Sequence, residues 1–214
     1  MTEAVIFDCD GVLVDTELIS NTVLAGLLSE AGLPTTLEEC LRDYRGRSLT
    51  SVMQLAVARH GAPLPEDIPD RYYAGMKSEF ARDGRPVPGV VAALDRIALP
   101  TCVASSGPHH KMEVTLRRTG LWERFAGRIF SATEVEHGKP APDLFLHAAR
   151  VMGFDPASTA VVEDSVPGVQ AARAAGMRAL AFARDTDAAA LAAAGGETFD
   201  DMAELLGLLT RRTG

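Results

Sequence analysis

Residues 4–17 read Ala-Val-Ile-Phe-Asp-Cys-Asp-Gly-Val-Leu-Val-Asp-Thr-Glu, in which a short apolar run leads directly into acidic residues. The β-forming residues 5–7 predict a strand that delivers Asp8 and Asp10 at its end. Because side chains alternate along a strand, we expect both carboxylates on one face and Cys9 on the other. Two carboxylates about 4 Å apart repel each other by about 4 kcal/mol at an effective dielectric constant of about 20. A cation between the acids, typically Mg²⁺ in proteins that act on phosphate, would relieve this repulsion; a solvated acidic turn is the alternative for this segment alone.

Length and charge limit the possible classes of function. The 214 residues carry a net charge of −8, and 47% of them are hydrophobic. This length suits one large domain, or a core domain with a smaller insertion. The acidic balance argues against nucleic acid as a partner, because no stripe of Lys and Arg could follow a phosphate backbone. The first strand begins too early for a signal peptide, and no apolar run reaches membrane-spanning length, so we expect a cytoplasmic protein.

The cysteines indicate core packing. Cys9, Cys40 and Cys102 show neither a CxxC pair nor metal-ligand spacing. Two of them lie within apolar, strand-like runs, which favours buried thiols over disulfides.

Secondary-structure signals divide the chain into two kinds of segment. Apolar residues at helical spacing predict four consecutive helices, followed by a Pro- and Gly-rich linker at 83–89; the helices cover 18–31, 37–43, 49–60 and 70–82. Beyond residue 88, short apolar strands alternate with helices. The strands are predicted at 101–105, 128–131, 160–164 and 178–182, and the helices at 109–119, from 142, at 167–176 and at 186–194.

This alternation predicts an α/β fold with a parallel sheet that is buried on both faces by helices. The core domain would comprise residues 1–15 and 87–214, and an all-helical unit at 16–86 would be inserted into it. Ligands of such sheets bind at the carboxyl ends of the strands. That rule brings Asp8 and Asp10, Ser105 and Asp164 to one edge of the sheet, although they are far apart in sequence.

The residues after the second core strand are suited to binding an anion. Ser105 ends the strand, and Ser106, Gly107 and Pro108 lead into a helix. A hydroxyl followed by free backbone N–H groups at a helix N-terminus forms an anion cradle. A simple helix cap is an equally common use of such a serine.

Two further charged segments follow. Lys139 lies in Gly-Lys-Pro-Ala-Pro at 138–142, where prolines stiffen the loop and can hold the lysine as a fixed positive charge toward a phosphoryl group. Glu163 and Asp164 end an apolar strand, where acids are costly unless they bind a metal or accept hydrogen bonds. A solvated loop lysine and an Asx turn are the respective alternatives.

Together these four segments, in this order, resemble the four motifs of the haloacid dehalogenase-like hydrolase superfamily. They read Asp-Cys-Asp-Gly-Val at 8–12, Ser at 105, Gly-Lys-Pro at 138–140 and Glu-Asp-Ser at 163–165. The resemblance covers the whole chain and implies a Rossmann-like core. The insertion after the first motif is similar to the helical cap of the type-I subfamily, which includes β-phosphoglucomutase and many sugar-phosphate phosphatases. Residues 105–112 also resemble 6-phosphogluconate phosphatase-like proteins.

The resemblance implies a role for each motif. Asp8 would be the nucleophile that forms an aspartyl-phosphate, and Asp10 would be the general acid and base. Dehalogenases proper lack this second aspartate, so its presence favours phosphoryl transfer. The implied Mg²⁺ site comprises Asp8, the carbonyl of Asp10 and Asp164, with Glu163 as a ligand or as support. The implied phosphate-binding groups are Ser105, Ser106 and Lys139.

The inserted helical unit is expected to close over the site and to select the substrate. Arg45, Gly46 and Arg47 join two of its helices and correspond to the substrate-specificity loop of related caps. The two arginines could pair with a second anionic group on the substrate; plain surface positions are the alternative. The first cap helix lacks the histidine that sugar mutases carry, which favours a phosphatase.

The sequence thus predicts a Mg²⁺-dependent phosphatase of small phosphorylated metabolites, such as sugar or sugar-acid phosphates and possibly 6-phosphogluconate. A phosphosugar mutase is the alternative, and a non-catalytic phosphate-sensing module is a weaker one, because such modules lack a long helical insertion. We expect no nucleic-acid or membrane partner, and a monomer or a weak dimer.

Overall fold

The structure is a computed structural model, and it describes residues 1–44, 49–61 and 63–211. Its chain divides into two compact units, Met1–Asp15 with Arg85–Gly214, and Thr16–Gly84. The strands are β1 (Ala4–Phe7), β2 (Val14–Asp15), β3 (Arg85–Pro86), β4 (Thr101–Ser105), β5 (Ile129–Ser131), β6 (Thr159–Glu163), β7 (Arg178–Phe182) and β8 (Glu197–Phe199). The helices are α1 (Glu17–Glu30), α2 (Leu37–Asp43), α3 (Leu49–His60), α4 (Ile68–Asp83), α5 (Val90–Arg96), α6 (His109–Arg118), α7 (Trp122–Phe125), α8 (Asp143–Met152), α9 (Val166–Ala174), α10 (Ala188–Ala193) and α11 (Leu205–Thr210).

The first unit is built on a six-stranded sheet in the order β5-β4-β1-β6-β7-β8. Every neighbouring pair in this sheet is parallel. Phe7 pairs with Val103 of β4 on one side and with Val162 of β6 on the other. The carboxyl ends of these three central strands therefore lie side by side, and the residues that follow them meet at one edge.

Both faces of the sheet are covered by helices. Ile6 of β1 belongs to a buried cluster that includes Phe145 of α8 and Val169 of α9. Phe7, the next residue along the strand, points to the opposite face, where its ring centroid lies 6.2 Å from that of Phe125 in α7. Alternate side chains of one strand thus bury against different helices, which is why the strands read as continuous apolar runs. The predicted fold class is confirmed.

The second unit is all-helical. Its core is formed by apolar residues of α1, α2 and α3, including Leu24, Leu28, Cys40 and Ala56. A capping box starts α2, in which the Thr36 hydroxyl accepts from the Glu39 N–H and the Glu39 carboxylate accepts from the Thr36 N–H. No helix among the described residues is long and apolar enough to cross a membrane.

The structure differs from the predicted elements in several places. Part of the predicted linker forms β3, which pairs antiparallel with β2, so the helical unit ends at Gly84 rather than at residue 86. The short elements β8, α5, α7 and α11 were not predicted from the sequence. Strand β1 ends at Phe7, so residues 8–10 lie beyond the strand. The expected placement of Asp8 and Asp10 on one face, with Cys9 on the other, therefore does not follow from strand geometry. The three cysteines are free and buried, as predicted.

Leu144 tests the packing between α8 and the sheet. Its side chain is fully buried, whereas Leu146 on the same helix is 39% exposed. We expect Leu144→Ala to lower the free energy of unfolding by about 2–5 kcal/mol, because it leaves a cavity in the core. Leu146→Ala is the matched control and is expected to cost less than about 1 kcal/mol. Urea unfolding followed by circular dichroism measures both; equal losses would contradict the packing described here.

Candidate active site

Lys139 lies at the centre of the sheet edge, between two carboxylates. Its Nζ donates to Asp8 Oδ1 at 2.6 Å and to Glu163 Oε1 at 2.6 Å. The lysine side chain is only 5% exposed, and its Nζ lies 4.8 Å from the ring centroid of Phe145. Burial alone would lower the pKa of Lys139, but the two carboxylates outweigh it and hold that pKa above its usual value. The lysine is therefore a permanent positive charge in this site.

Glu163 is held in place by its own neighbours. Its Oε2 accepts from the backbone N–H of Ser165 at 2.7 Å and from the Ser165 hydroxyl at 2.9 Å. The helix that follows must pass close to this carboxylate, because an ideal Cβ on Gly168 would lie 1.8 Å from Glu163 Oε1. Gly168 is thus required for space alone. With both oxygens engaged, Glu163 is placed to orient Lys139.

Asp8 directly follows β1 and is fixed through its backbone. Its N–H donates to the carbonyl of Val162 at 2.9 Å, which continues the pairing between β1 and β6 beyond the strand. Burial raises the pKa of Asp8 from its usual 3.8 to about 7, with Lys139 opposing the shift and the carboxylates of Glu163 and Asp10 adding to it. The carboxylate is consequently poorly solvated and depends on nearby positive charge.

Asp164 approaches the same edge from β6. Burial, followed by the charges of Glu163 and Asp8, raises the pKa of this carboxyl well above its usual value. An ideal Cβ on Gly11 would lie 2.0 Å from Asp164 Oδ2, and Gly11 has a φ of +75°. Space and backbone conformation both demand glycine here. Gly11 of the first motif thus leaves room for the Asp164 side chain.

Asp10 has a different lysine as its partner. The Nζ of Lys111, in the first turn of α6, donates to Asp10 Oδ2 at 2.5 Å. The other oxygen, Oδ1, is buried and has no hydrogen-bond partner in the part of the chain that the structure describes. Asp8 and Asp10 are therefore each paired with a separate ammonium group.

The predicted phosphate cradle lies at the end of β4. Ser105 is buried and its Oγ accepts from the N–H of Gly107 at 3.1 Å. Ser131, which is in register with Ser105 on β5, donates its hydroxyl to the carbonyl of Gly107 at 2.8 Å. The loop between β4 and α6 is thus held from both sides, while Ser106 is exposed.

These carboxylates fit a Mg²⁺ ion. Asp8 is buried and Asp164 is half-buried, and both carboxyls have raised pKa values, so a nearby cation would stabilise their charged forms. No group of three or more His, Cys, Asp or Glu side chains within the described ranges forms a ready metal cluster. Mg²⁺ does not require one, because it is usually bound by one or two carboxylates together with water and substrate phosphate.

Three residues that take part in the site, Lys111, Ser165 and Gly168, had no role predicted from the sequence. Lys111 lay in a quoted motif but received no role, and Ser165 and Gly168 became visible only once the loop after β6 was seen to fold over Glu163. The sequence gives little indication of these roles, because a serine or glycine at a helix start is usually a cap and a lysine is usually a surface residue. The predicted specificity residues Arg45, Gly46 and Arg47 lie outside the described residues.

Known proteins resemble this chain in sequence and in fold. A family model described as haloacid dehalogenase-like hydrolase matches residues 2–176. The 6-phosphogluconate phosphatase of Escherichia coli K12 is 32% identical over 184 residues, which cover 86% of this chain and 83% of that protein. The crystal structure of a haloacid dehalogenase-like protein from Agrobacterium tumefaciens has a TM-score of 0.88 and 35% identity, covering 98% of both chains. A hydrolase of the same family from Deinococcus radiodurans, solved with bound phosphate and sodium, has a TM-score of 0.83 and 30% identity, covering 99% of both chains.

The chain therefore belongs to the haloacid dehalogenase-like hydrolase family. It is an enzyme, and a phosphatase of that family, as the sequence predicted.

Gly168→Ala tests the support behind Lys139. The new methyl group would displace Glu163 and with it one of the two partners of the lysine, so we expect kcat to fall about 10-fold or more. Gly207→Ala is the matched control, because nothing lies within 4 Å of its Cβ position and it too is in a helix. Steady-state kinetics of both variants measure the effect. Full activity in Gly168→Ala would contradict this role of Glu163.

The buried carboxylates predict a pH-dependent cost in stability. Because the pKa of Asp8 is raised on folding to about 7, the folded state holds this proton more tightly, and stability is lost as pH rises from about 4 to about 7. We expect Asp8→Asn to remove part of this loss, and thus to raise the free energy of unfolding at pH 8 in EDTA by at least about 1 kcal/mol, or about 2–4 °C in Tm.

At pH 5 the gain from Asp8→Asn is expected to be smaller, and the exposed Asp200→Asn serves as a control for loss of charge. Thermal unfolding in EDTA at both pH values measures the difference. A gain that is equal at pH 5 and pH 8 would show that burial of the Asp8 charge is not its cause.

Proposed function

We propose that this protein is a Mg²⁺-dependent phosphatase that hydrolyses sugar or sugar-acid phosphates, with 6-phosphogluconate as the leading candidate, through an aspartyl-phosphate on Asp8. The observation that carries the proposal is the buried Lys139 ammonium at 2.6 Å from Asp8 Oδ1. Buried ion pairs seldom stabilise a fold more than apolar packing does, so charges buried at a strand edge favour a catalytic role.

The proposed reaction begins with the nucleophile. A carboxylate oxygen of Asp8 attacks phosphorus, and the bond from phosphorus to the leaving oxygen breaks as Asp10 gives that oxygen a proton. Water then attacks the phosphoryl group on Asp8, Asp10 takes the proton of the water, and the Asp8 carboxylate is released. Both steps need Asp10, once as acid and once as base.

Charge stabilisation would come from several directions. Lys139, the hydroxyl of Ser105 and the N–H of Ser106 would hold phosphate oxygens around Asp8. Asp8, Asp164 and the carbonyl of Asp10 would hold Mg²⁺, which supplies a Lewis acid that neutralises phosphate charge. Glu163 would act by orienting Lys139, since Ser165 and Lys139 engage both of its oxygens.

The substrate class rests on the relatives. The chain is 32% identical to a protein named 6-phosphogluconate phosphatase over 83% of that protein's length. A sugar-acid phosphate carries a second anionic group, which is the group that Arg45 and Arg47 were predicted to bind. The preference for a doubly anionic substrate is therefore part of the proposal.

Phosphate release from a substrate panel tests this function. We expect release from 6-phosphogluconate and related sugar phosphates with Mg²⁺, loss of release in EDTA, and no detectable turnover by Asp8→Asn. Asp10→Asn is expected to lower kcat about 100-fold or more on these alkyl phosphates, because it removes the general acid and base.

Titration calorimetry with Mg²⁺ gives a readout independent of turnover, and Asp164→Asn is expected to weaken binding. Turnover in EDTA equal to that with Mg²⁺ would rule out the metal dependence. Turnover that requires an added sugar bisphosphate would instead identify the mutase alternative.

A further inference from the structure

Lys111 is a second lysine at the active-site edge, and the proposed function gives it no role. It lies in α6, which follows β4, and β4 pairs directly with β1. The residues after β4 thereby border those after β1, and Lys111 Nζ reaches Asp10 Oδ2 at 2.5 Å. Unlike Lys139, which is 5% exposed, the Lys111 side chain is 44% exposed.

The side chain of Lys111 runs past Gly107. An ideal Cβ on Gly107 would lie 3.4 Å from Lys111 Cδ and 3.6 Å from Ser105 Oγ. The aliphatic stem of the lysine therefore lies alongside the loop that carries the phosphate cradle. Backbone hydrogen bonds from the N–H groups of Lys111 and Met112 to the carbonyl of Pro108, at 3.0 and 3.2 Å, hold this first turn in place.

The contact distinguishes the two oxygens of Asp10. Oδ2 accepts from the ammonium group, whereas Oδ1 is buried without a hydrogen-bond partner among residues 1–44, 49–61 and 63–211. A carboxylate that is free to rotate about its terminal torsion can exchange its two oxygens, because such torsions are broad. An ammonium group at Oδ2 disfavours that exchange and so sets the orientation of the Asp10 carboxylate.

We propose that Lys111 is a positioning residue that holds the Asp10 carboxylate in one orientation for its proton transfers. This inference rests on the proposed function. In the first step Asp10 would transfer its proton to the leaving oxygen as the bond from that oxygen to phosphorus breaks and the bond from Asp8 to phosphorus forms. In the second step Asp10 would accept a proton from the water that attacks phosphorus, and the Asp8 carboxylate would leave.

The leaving group provides a sharp test. An alkoxide needs a proton to depart, whereas p-nitrophenolate departs without one, so general acid catalysis matters for alkyl phosphates and little for p-nitrophenyl phosphate. We expect Lys111→Met to lower kcat/KM about 10-fold or more for the sugar phosphate that the wild-type enzyme hydrolyses best. For p-nitrophenyl phosphate we expect a change of less than about threefold. Lys111→Arg is expected to restore most of the loss, because it returns a cationic donor to Oδ2.

His110→Gln is the matched control, since His110 is an exposed residue of the same helix, and it should leave both substrates unaffected. Thermal unfolding of each variant checks that the fold is retained. Equal losses on the two substrates would overturn the inference and assign Lys111 to phosphate binding. A higher KM for the sugar phosphate with unchanged kcat would overturn it in favour of substrate binding, and unchanged kinetics on both substrates would also overturn it.

Asp8→Asn separates this inference from the proposed function. A wild-type enzyme that turns over both substrates, with turnover lost in Asp8→Asn, upholds the phosphatase even if Lys111→Met behaves as wild type. A wild-type enzyme inactive on both substrates would overturn the function and this inference together.

Discussion

The active site depends on one buried ammonium group between two carboxylates. Lys139 bridges Asp8 and Glu163, which follow or end the neighbouring strands β1 and β6, while the lysine itself comes from the loop before α8. Taking three charges out of water is costly unless each is closely paired. The backbone nearby supports this pairing. The Ser165 N–H donates to Glu163, and the absence of a side chain at Gly168 leaves room for the Glu163 carboxylate.

Each of the two aspartates is paired with its own lysine. The pair of Asp8 and Lys139 is buried, which keeps water from solvating the Asp8 carboxylate. The pair of Asp10 and Lys111 is more exposed to solvent. Two carboxylates two residues apart in sequence thus acquire different environments, as the different roles proposed for them require.

The second constraint on the active site is the close approach of the backbone, at two glycines, to acidic side chains. Gly11 has a left-handed conformation, and a Cβ there would overlap Asp164; Gly168 has no unusual conformation, yet a Cβ there would overlap Glu163. The two glycines therefore act for different physical reasons on neighbouring acids. Burial raises the pKa of Asp164, as it does that of Asp8, so holding these two carboxyls in their charged forms costs stability.

The sequence alone was enough to predict the parallel α/β core, the helical insertion and the meeting of Asp8, Asp10, Ser105 and Asp164 at one edge of the sheet. These follow from local periodicity and from the rule that parallel strands end together. Three contacts became known from the tertiary structure alone: Lys111 pairs with Asp10, Glu163 with Lys139, and residues 14–15 with 85–86. Each of these contacts joins residues far apart in the chain. Two of them depend on the direction of single side chains and the third on a ladder of two residues, and such features leave no periodic pattern in the sequence.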